Sequence, residues 1–417
     1  MKKTIIIGGG VVGLCAAWYL HREGVEVTVI ERGHFTDGTS HGNAGMIVPS
    51  HFIPMATPGV ITQGLKWLLD SKSPFYVRPR LNLDLMQWLW QFYRSANDGQ
   101  VRAAMPVLFE FNEWSKHLYK EMADEAGIAC RFEEKGLLML YKTPHQARDE
   151  ADMAEKAIDL GLQADILSPR QLKVLEPDMD FDVLGGLYFP GDAHLHPNQL
   201  MQALRTRLEA AGVQFRGGTT ITDLVVRDRK VTTLVTDAGQ HIPAESVILT
   251  AGSWTAQLLR KTGIKMLLQD GKGYSLTYSN LPVRPRIPTI LTEARVAITP
   301  MGDDLRIGGT LELSGLDAGI HINRLRGILE SVGHYYRNLS FAYSPDLPVW
   351  KGYRPCTPDG MPYIGHFPHI DNLITGTGHG MMGLSLGAAT GRLLCQLQMR
   401  QTPGLDLTLF APHRFGQ

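Results

Sequence analysis

The stretch Thr4-Ile-Ile-Ile-Gly-Gly-Gly-Val-Val-Gly-Leu14, running on to Val25-Glu-Val-Thr-Val-Ile-Glu-Arg32, decides the fold. Thr4 to Ile7 is a β-branched run, as expected of a strand buried on both faces of a parallel sheet. The glycines follow at once, Leu14 to Glu23 has helical spacing, and Val25 to Ile30 reads as a second strand. A G-x-G-x-x-G turn between strand and helix, with an acidic residue about 20 positions on, is the pattern of dinucleotide binding. Gly8 permits the tight turn, Gly10 lets the backbone approach a pyrophosphate, and Gly13 lets helix and strand pack closely. The helix N-terminus offers free N–H groups and the positive end of its dipole to the phosphates, and Val11 and Val12 of the turn are further candidate cofactor contacts. Glu31, with Arg32 beside it, is placed to accept hydrogen bonds from ribose hydroxyls. A βαβ unit without ligand leaves three glycines and a terminal glutamate without a purpose.

Beyond this unit the composition excludes several classes. The chain has 417 residues, long enough for two or three domains, with 44 glycines and no collagen period. Its 41 basic and 41 acidic residues cancel, so no long-range field steers nucleic acid to it. Cys15, Cys130, Cys356 and Cys395 are scattered, which indicates neither a disulfide framework nor a thiolate zinc site. A reducing cytoplasm fits that usage. The apolar start breaks at Gly8, too short for a signal-peptide core, and no run of about 18 apolar residues spans a bilayer. His194 and His196 lie two apart with no third ligand in view, so no metal is expected.

Thr39-Ser-His-Gly-Asn-Ala-Gly-Met46 follows where an ordinary nicotinamide domain would run into another helix. Strand, GGGxxG, helix, strand and Glu-Arg, then TSxGNAGxIxPS, resembles the FAD-dependent amine and amino-acid oxidoreductases of the D-amino-acid oxidase superfamily. Within it the chain looks most like the bacterial D-amino-acid dehydrogenases, with glycine and sarcosine oxidases as cousins. By that resemblance Ser40, His41, Gly42, Asn43, Ala44, Gly45 and Met46 wrap the pyrophosphate and one edge of the isoalloxazine. Some relatives attach FAD through a nearby His or Cys; the linkage motif is not matched here, so non-covalent FAD is expected. The alternative for His41 is a loop histidine satisfied by backbone.

The same resemblance extends along the chain. Val247-Ile-Leu-Thr-Ala-Gly-Ser-Trp254 is similar to a second FAD motif, which sets Ala251, Gly252 and Trp254 beside the dinucleotide, and a residue near Ile221 gives its backbone to the adenine. Strands from Gly271 to Tyr278, Thr289 to Thr299 and Asp304 to Leu311 imply an antiparallel roof over the flavin, with Tyr274 and Tyr278 as candidate substrate contacts or as packing. The most specific signal is Gly352-Tyr-Arg-Pro-Cys-Thr-Pro-Asp-Gly-Met-Pro-Tyr-Ile-Gly365 followed by Asn372-Leu-Ile-Thr-Gly-Thr-Gly-His-Gly-Met-Met-Gly383. In relatives the turn equivalent to Gly378, Gly380, Met381, Met382 and Gly383 opens a helix whose N–H groups hold the flavin, and His379 borders the ring. Arg354 corresponds to the arginine that clamps the substrate carboxylate, a bidentate role suited to a guanidinium. The alternative is a structural Arg354 paired with Asp359 of the same motif. Glycine oxidase has another arginine where this chain has Met381, a departure that implies an apolar side to the pocket.

The implied fold is α/β: a discontinuous Rossmann-like FAD-binding domain (1–60, 186–260 and 346–417) with an interleaved antiparallel-sheet substrate domain (61–185 and 261–345). The implied activity is oxidative deamination of D-amino acids to 2-oxo acids and ammonia, by hydride transfer from Cα to flavin N5. A D-proline or hydroxyproline dehydrogenase, a glycine or sarcosine-type oxidase, or a flavin-bearing subunit of an electron-transfer complex are the alternatives. The partners implied are an amino acid, a quinone or oxygen as acceptor, and no nucleic acid. His51 to Asn97, rich in aromatics such as Trp67, Trp88 and Trp90 with basic residues interspersed, reads either as a patch touching the inner face of the cell membrane or as packing over the substrate domain.

Overall fold

The structure, a computed structural model, describes residues 3–60, 64, 73–78, 80, 82–124, 126–316 and 319–416. Trp67 lies outside the described residues.

The β-branched opening forms the strand Lys3–Ile7 at the heart of a six-stranded sheet, ordered Tyr363–Phe367, Ile370–Thr377, Ser246–Leu249, Lys3–Ile7, Glu26–Ile30, Gln214–Arg216. Every neighbouring pair is parallel except the outermost, where Tyr363–Phe367 runs against Ile370–Thr377. Alternation divides the strands between two cores, since successive side chains point to opposite faces. Ile6, Val27, Val29 and Ile248 meet the helices Val11–Arg22, Pro197–Ala210 and Gly387–Gln398. Ile5, Ile7, Ile30 and Val247 meet the antiparallel sheet Ile221–Arg227, Lys230–Thr236 and His241–Pro243. Both faces are covered, which explains why the central strands carry unbroken apolar runs. The small residues of the C-terminal helix let it lie directly on the first: a Cβ at Gly391 would stand 2.5 Å from that of Cys15.

The second sheet is nine-stranded and mixed. Its path runs Val349–Cys356, Gln269–Ser279, Asp304–Leu313, Val296–Met301, Thr289–Leu291, Leu137–Tyr141, Gly185–Phe189, Asp165–Leu167, with Phe75–Val77 alongside Asp304–Leu313. The helix Ile322–Tyr335 packs Leu325, Ile328, Leu329 and Val332 against one face, over Leu276, Ile298 and Ile307. From the opposite face Met139, Ile290 and Ala297 pack towards Met46 and Val48 of the first sheet's long loop. Two stretches placed by sequence in the dinucleotide part, residues 186–189 and Val349–Cys356, pair into this second sheet. Strand partners come from residues far away in the chain, so local pattern does not reveal which sheet a strand joins.

Candidate active site

The glycine turn does what its spacing requires. A Cβ on Gly13 would sit 2.0 Å from the Gly8 carbonyl oxygen, so only glycine lets helix and strand meet here. Gly8 has φ +110° and its N–H donates to the Ile30 carbonyl at 2.8 Å, binding the turn to the second strand. The helix Val11–Arg22 has no acidic residue in its first turn and no cap from the preceding residue, which leaves its positive end for an anion. Ser40 Oγ accepts from Val11 N–H at 3.0 Å, laying the following loop across that end. The Glu31 carboxylate accepts from Gly9 N–H at 2.7 Å and Gly33 N–H at 3.0 Å, one bond on each oxygen, and keeps lone pairs for further donors. Arg32 stacks on the ring of Trp254 at 3.3 Å, although the two come from distant motifs.

A cavity of about 1660 Å³ runs from this turn between the two sheets. Most of the residues singled out by sequence line it: Gly8, Gly10, Val11, Val12, Glu31, Arg32, Ser40, Gly42, Asn43, Ala44, Met46, Ile221, Ala251, Gly252, Trp254, Tyr274, Arg354, Gly378, His379, Gly380, Met381, Met382 and Gly383. Gly13, His41, Gly45 and Tyr278 do not. Gly13 works beneath the surface, as above. Gly45 turns away at φ +78°, where a Cβ would strike the Leu195 carbonyl oxygen at 2.3 Å. The His41 ring is driven towards neutrality by burial, while its carbonyl accepts from Arg306 at 2.9 Å. Tyr278 packs at a tilt against Phe341, ring centroids 4.3 Å apart, on the helix-covered side of the second sheet. The Tyr274 ring lies in that same core, and its hydroxyl accepts from His321 N–H at 3.1 Å.

Arg354 has no carboxylate partner among the described residues. The acid proposed as its structural partner, Asp359, is held by Arg414: Nε to Oδ2 at 2.7 Å and Nη2 to Oδ1 at 2.9 Å, a bidentate pair with both side chains nearly buried. Instead Arg354 reaches across Gly273, where a Cβ would stand 2.3 Å from its Nη1, and donates to the Thr310 carbonyl at 2.5 Å. Thr310 sits at φ +64° in a bulge, between the pairs Lys272↔Glu312 and Tyr274↔Gly309. A left-handed threonine is strained, and here the strain turns a carbonyl onto the guanidinium. Burial weakens the hold of Arg354 on its proton relative to a free arginine, yet the group remains a cation.

His379 is not poised as a base. Its Nε2 lies 2.9 Å from Thr390 Oγ1, which itself donates to the Leu386 carbonyl at 2.8 Å. With the threonine proton so committed, Nε2 carries the hydrogen and donates, and burial pushes the ring pKa down to about 3. Met381 is 54 % exposed at the cavity rim.

Arg306 was not legible in sequence. It is buried, its Nη1 donates to the carbonyls of His41 (2.9 Å) and Asn43 (2.8 Å), and burial lowers its pKa to about 10. Thus the second sheet grips the loop that the first sheet sends across the helix end. The hint in the chain was a basic residue set between the apolar Leu305 and Ile307 of a strand.

The residues present fit FAD. The cavity exceeds the roughly 300–1,000 Å³ of ordinary ligand sites, as a dinucleotide plus a small substrate requires. Thr310 Oγ1, Thr357 Oγ1 and Trp350 Nε1 line it, buried and without hydrogen-bond partners among the described residues. Gly252 and Gly380, both at φ +54°, would point a Cβ into open space. Cys15, Cys130, Cys356 and Cys395 are free and buried.

Comparison with known proteins agrees with this geometry. The profile of the FAD dependent oxidoreductase family DAO matches residues 3–397. A D-amino acid dehydrogenase of Methylobacterium radiotolerans is 35 % identical, over 97 % of this chain and 98 % of its own length. One from Helicobacter pylori is 32 % identical over 98 % of each chain. The crystal structure of glycine oxidase from Geobacillus kaustophilus superposes with a TM-score of 0.78 over 99 % of both chains at 22 % sequence identity.

Proposed function

The chain belongs to the DAO family of FAD dependent oxidoreductases, and from that premise we propose that it is a D-amino-acid dehydrogenase. The observation that carries the reading is Arg354, a half-buried cation without an acidic partner among the described residues, beside a dinucleotide cradle. The relatives named D-amino acid dehydrogenase, matched over nearly their full lengths, support the substrate class.

When bound, FAD supplies the two-electron acceptor that converts an amino acid to an imino acid, which water then hydrolyses to a 2-oxo acid and ammonia. Glycine turn, helix end, Glu31 and the Ser40–Met46 loop hold the dinucleotide. The turn Gly378–Gly383 holds the flavin end, and the 221 and 251–254 segments line the adenosine side. The first sheet therefore serves the cofactor and the second presents the substrate wall. Arg354 takes the substrate carboxylate through the N–H donors that Thr310 leaves free, and so fixes where Cα lies. That positioning is the larger share of what the protein contributes. His379, locked as a neutral donor to Thr390, keeps the ring of the flavin motif in place and transfers no proton.

Among the described residues no helix is long and apolar enough to cross a membrane. Peripheral contact remains part of the proposal, supported by the helix Leu83–Ser95. It buries Trp88 at 2 % exposure but presents Leu83 (76 %), Met86 (57 %), Trp90 (62 %) and Tyr93 (62 %) to solvent. Such a stripe on one face suits an interfacial helix, near which an electron acceptor dissolved in lipid would reach the cavity. The test of the activity is formation of 2-oxo acid and ammonia from D-alanine by the FAD-loaded protein with an artificial dye acceptor. Absence of both products with every D-amino acid tried would refute it.

A further inference from the structure

The cavity has a second polar end, opposite Arg354. From Thr310, whose carbonyl holds that arginine, the neighbouring cross-strand row runs Gly309, Val296, Leu291, Leu140. Three strand-to-strand steps of about 4.8 Å put the far end of this row roughly 14 Å away. The helix Pro144–Asp159 packs over that end and carries Glu150, which lines the cavity at 4 % exposure. Burial, and after it the charge of Glu150, raises the pKa of Tyr141, which places the carboxylate at the Leu140–Tyr141 end. Glu150 Oε1 accepts from Gln146 Nε2 at 2.9 Å, while Oε2 is buried with no hydrogen-bond partner among the described residues.

Burial pushes the Glu150 carboxyl up to about 7, so a cation arriving at this end draws it into its charged form. Asp149 and Glu293 add negative charge, and Glu293 is already engaged by Thr143 and Tyr335. Arg295 opposes them from an exposed position, and burial holds His51 neutral, with its pKa pushed down to about 4. A buried carboxylate with an unused oxygen is costly unless a donor arrives, and this is how a site selects a substrate that brings one. An extended lysine advances roughly 7.5 Å from carboxyl carbon to ammonium at about 1.25 Å per bond. A hydrogen bond of about 2.8 Å at each end brings the span near 13 Å.

Resting on the reading of the cavity as an amino-acid oxidation site, we propose that its substrates include amino acids with basic side chains, carboxylate on Arg354 and side-chain cation on Glu150. Calorimetric titration of the FAD-loaded protein with ε-aminocaproate and caproate tests the two ends, since neither ligand carries an α-amino group to oxidise. The expected result is tighter binding of ε-aminocaproate by roughly ten- to a hundredfold, the worth of a hydrogen bond to a charged group, and loss of that ratio in Glu150→Gln. The ratio of kcat/KM for D-lysine over D-norleucine, which lacks the ε-ammonium, should fall by a similar factor in the variant. Equal affinity of the wild type for the two ligands, or an unchanged ratio in Glu150→Gln, overturns the proposal. A protein that binds ε-aminocaproate selectively yet oxidises no amino acid would instead refute the activity reading.

Discussion

Replacing Arg354 by methionine separates substrate recognition from folding, because the structure gives the arginine few structural duties. Its one protein hydrogen bond goes to the Thr310 carbonyl, and the acid of its own motif is paired elsewhere, with Arg414. Loss of a single hydrogen bond costs about 1 kcal/mol, so Arg354→Met should fold and retain FAD. Removing one partner of a desolvated charge pair between protein and ligand costs about 2–5 kcal/mol, or roughly thirty- to a few thousandfold in kcat/KM. Arg354→Lys should fall between, since an ammonium keeps the charge but not the planar fork. The assay is dye-linked kcat/KM on the preferred D-amino acid, read beside the FAD absorption band and the thermal midpoint. A methionine variant within about threefold of wild type would show that Arg354 does not hold the substrate, whatever its position.

Arg414→Leu should do the reverse. It strands Asp359, 4 % exposed at its side chain, so chemical denaturation should show a loss of about 3–5 kcal/mol while KM stays put; a variant as stable as wild type refutes the pairing argument. Glu31→Gln should loosen FAD by roughly tenfold or more, measured by fluorescence of released cofactor, with unchanged retention counting against a contact between Glu31 and the dinucleotide. His379 sits at about 3 in the folded protein against about 6.5 unfolded, so its contribution to stability is complete above pH 6.5 and lost as pH falls towards 3. The pH slope of unfolding free energy between these values should be shallower in His379→Gln by about 1.4 kcal/mol per pH unit, and identical slopes contradict the buried-neutral assignment. Replacing Met86 and Trp90 together by serine should reduce cosedimentation with anionic vesicles without altering turnover of a soluble dye; undiminished cosedimentation excludes this helix as the contact.

How much of this was readable beforehand follows from where each interaction is made. The dinucleotide turn was legible because strand, Gly8–Gly13 and helix are contiguous and each glycine answers to a local steric demand. The turn near Gly378, which lines the cavity, was legible for the same reason. Arg354 could be identified from its motif, but its freedom from Asp359 could not, because Arg414 arrives from 55 residues downstream. Arg306 was invisible because its meaning lies in carbonyls more than 260 positions earlier. Side-chain direction also escaped: Tyr278 and His41 belong to the right segments yet face protein, since a strand or loop offers both sides and only packing selects one. Sheet membership of Val349–Cys356 went unread because antiparallel pairing with Gln269–Ser279 is a property of the whole chain.

The central claim is that one cavity brings a D-amino acid to FAD, held by Arg354. Its most direct test is an anaerobic titration of the FAD-loaded protein, following the visible flavin band, with matched D- and L-enantiomers. The account predicts complete bleaching by D-amino acids, little or none by their L-counterparts, and loss of bleaching at the same concentrations in Arg354→Met. A band that no amino acid bleaches, or that the variant loses as readily as wild type, would contradict it.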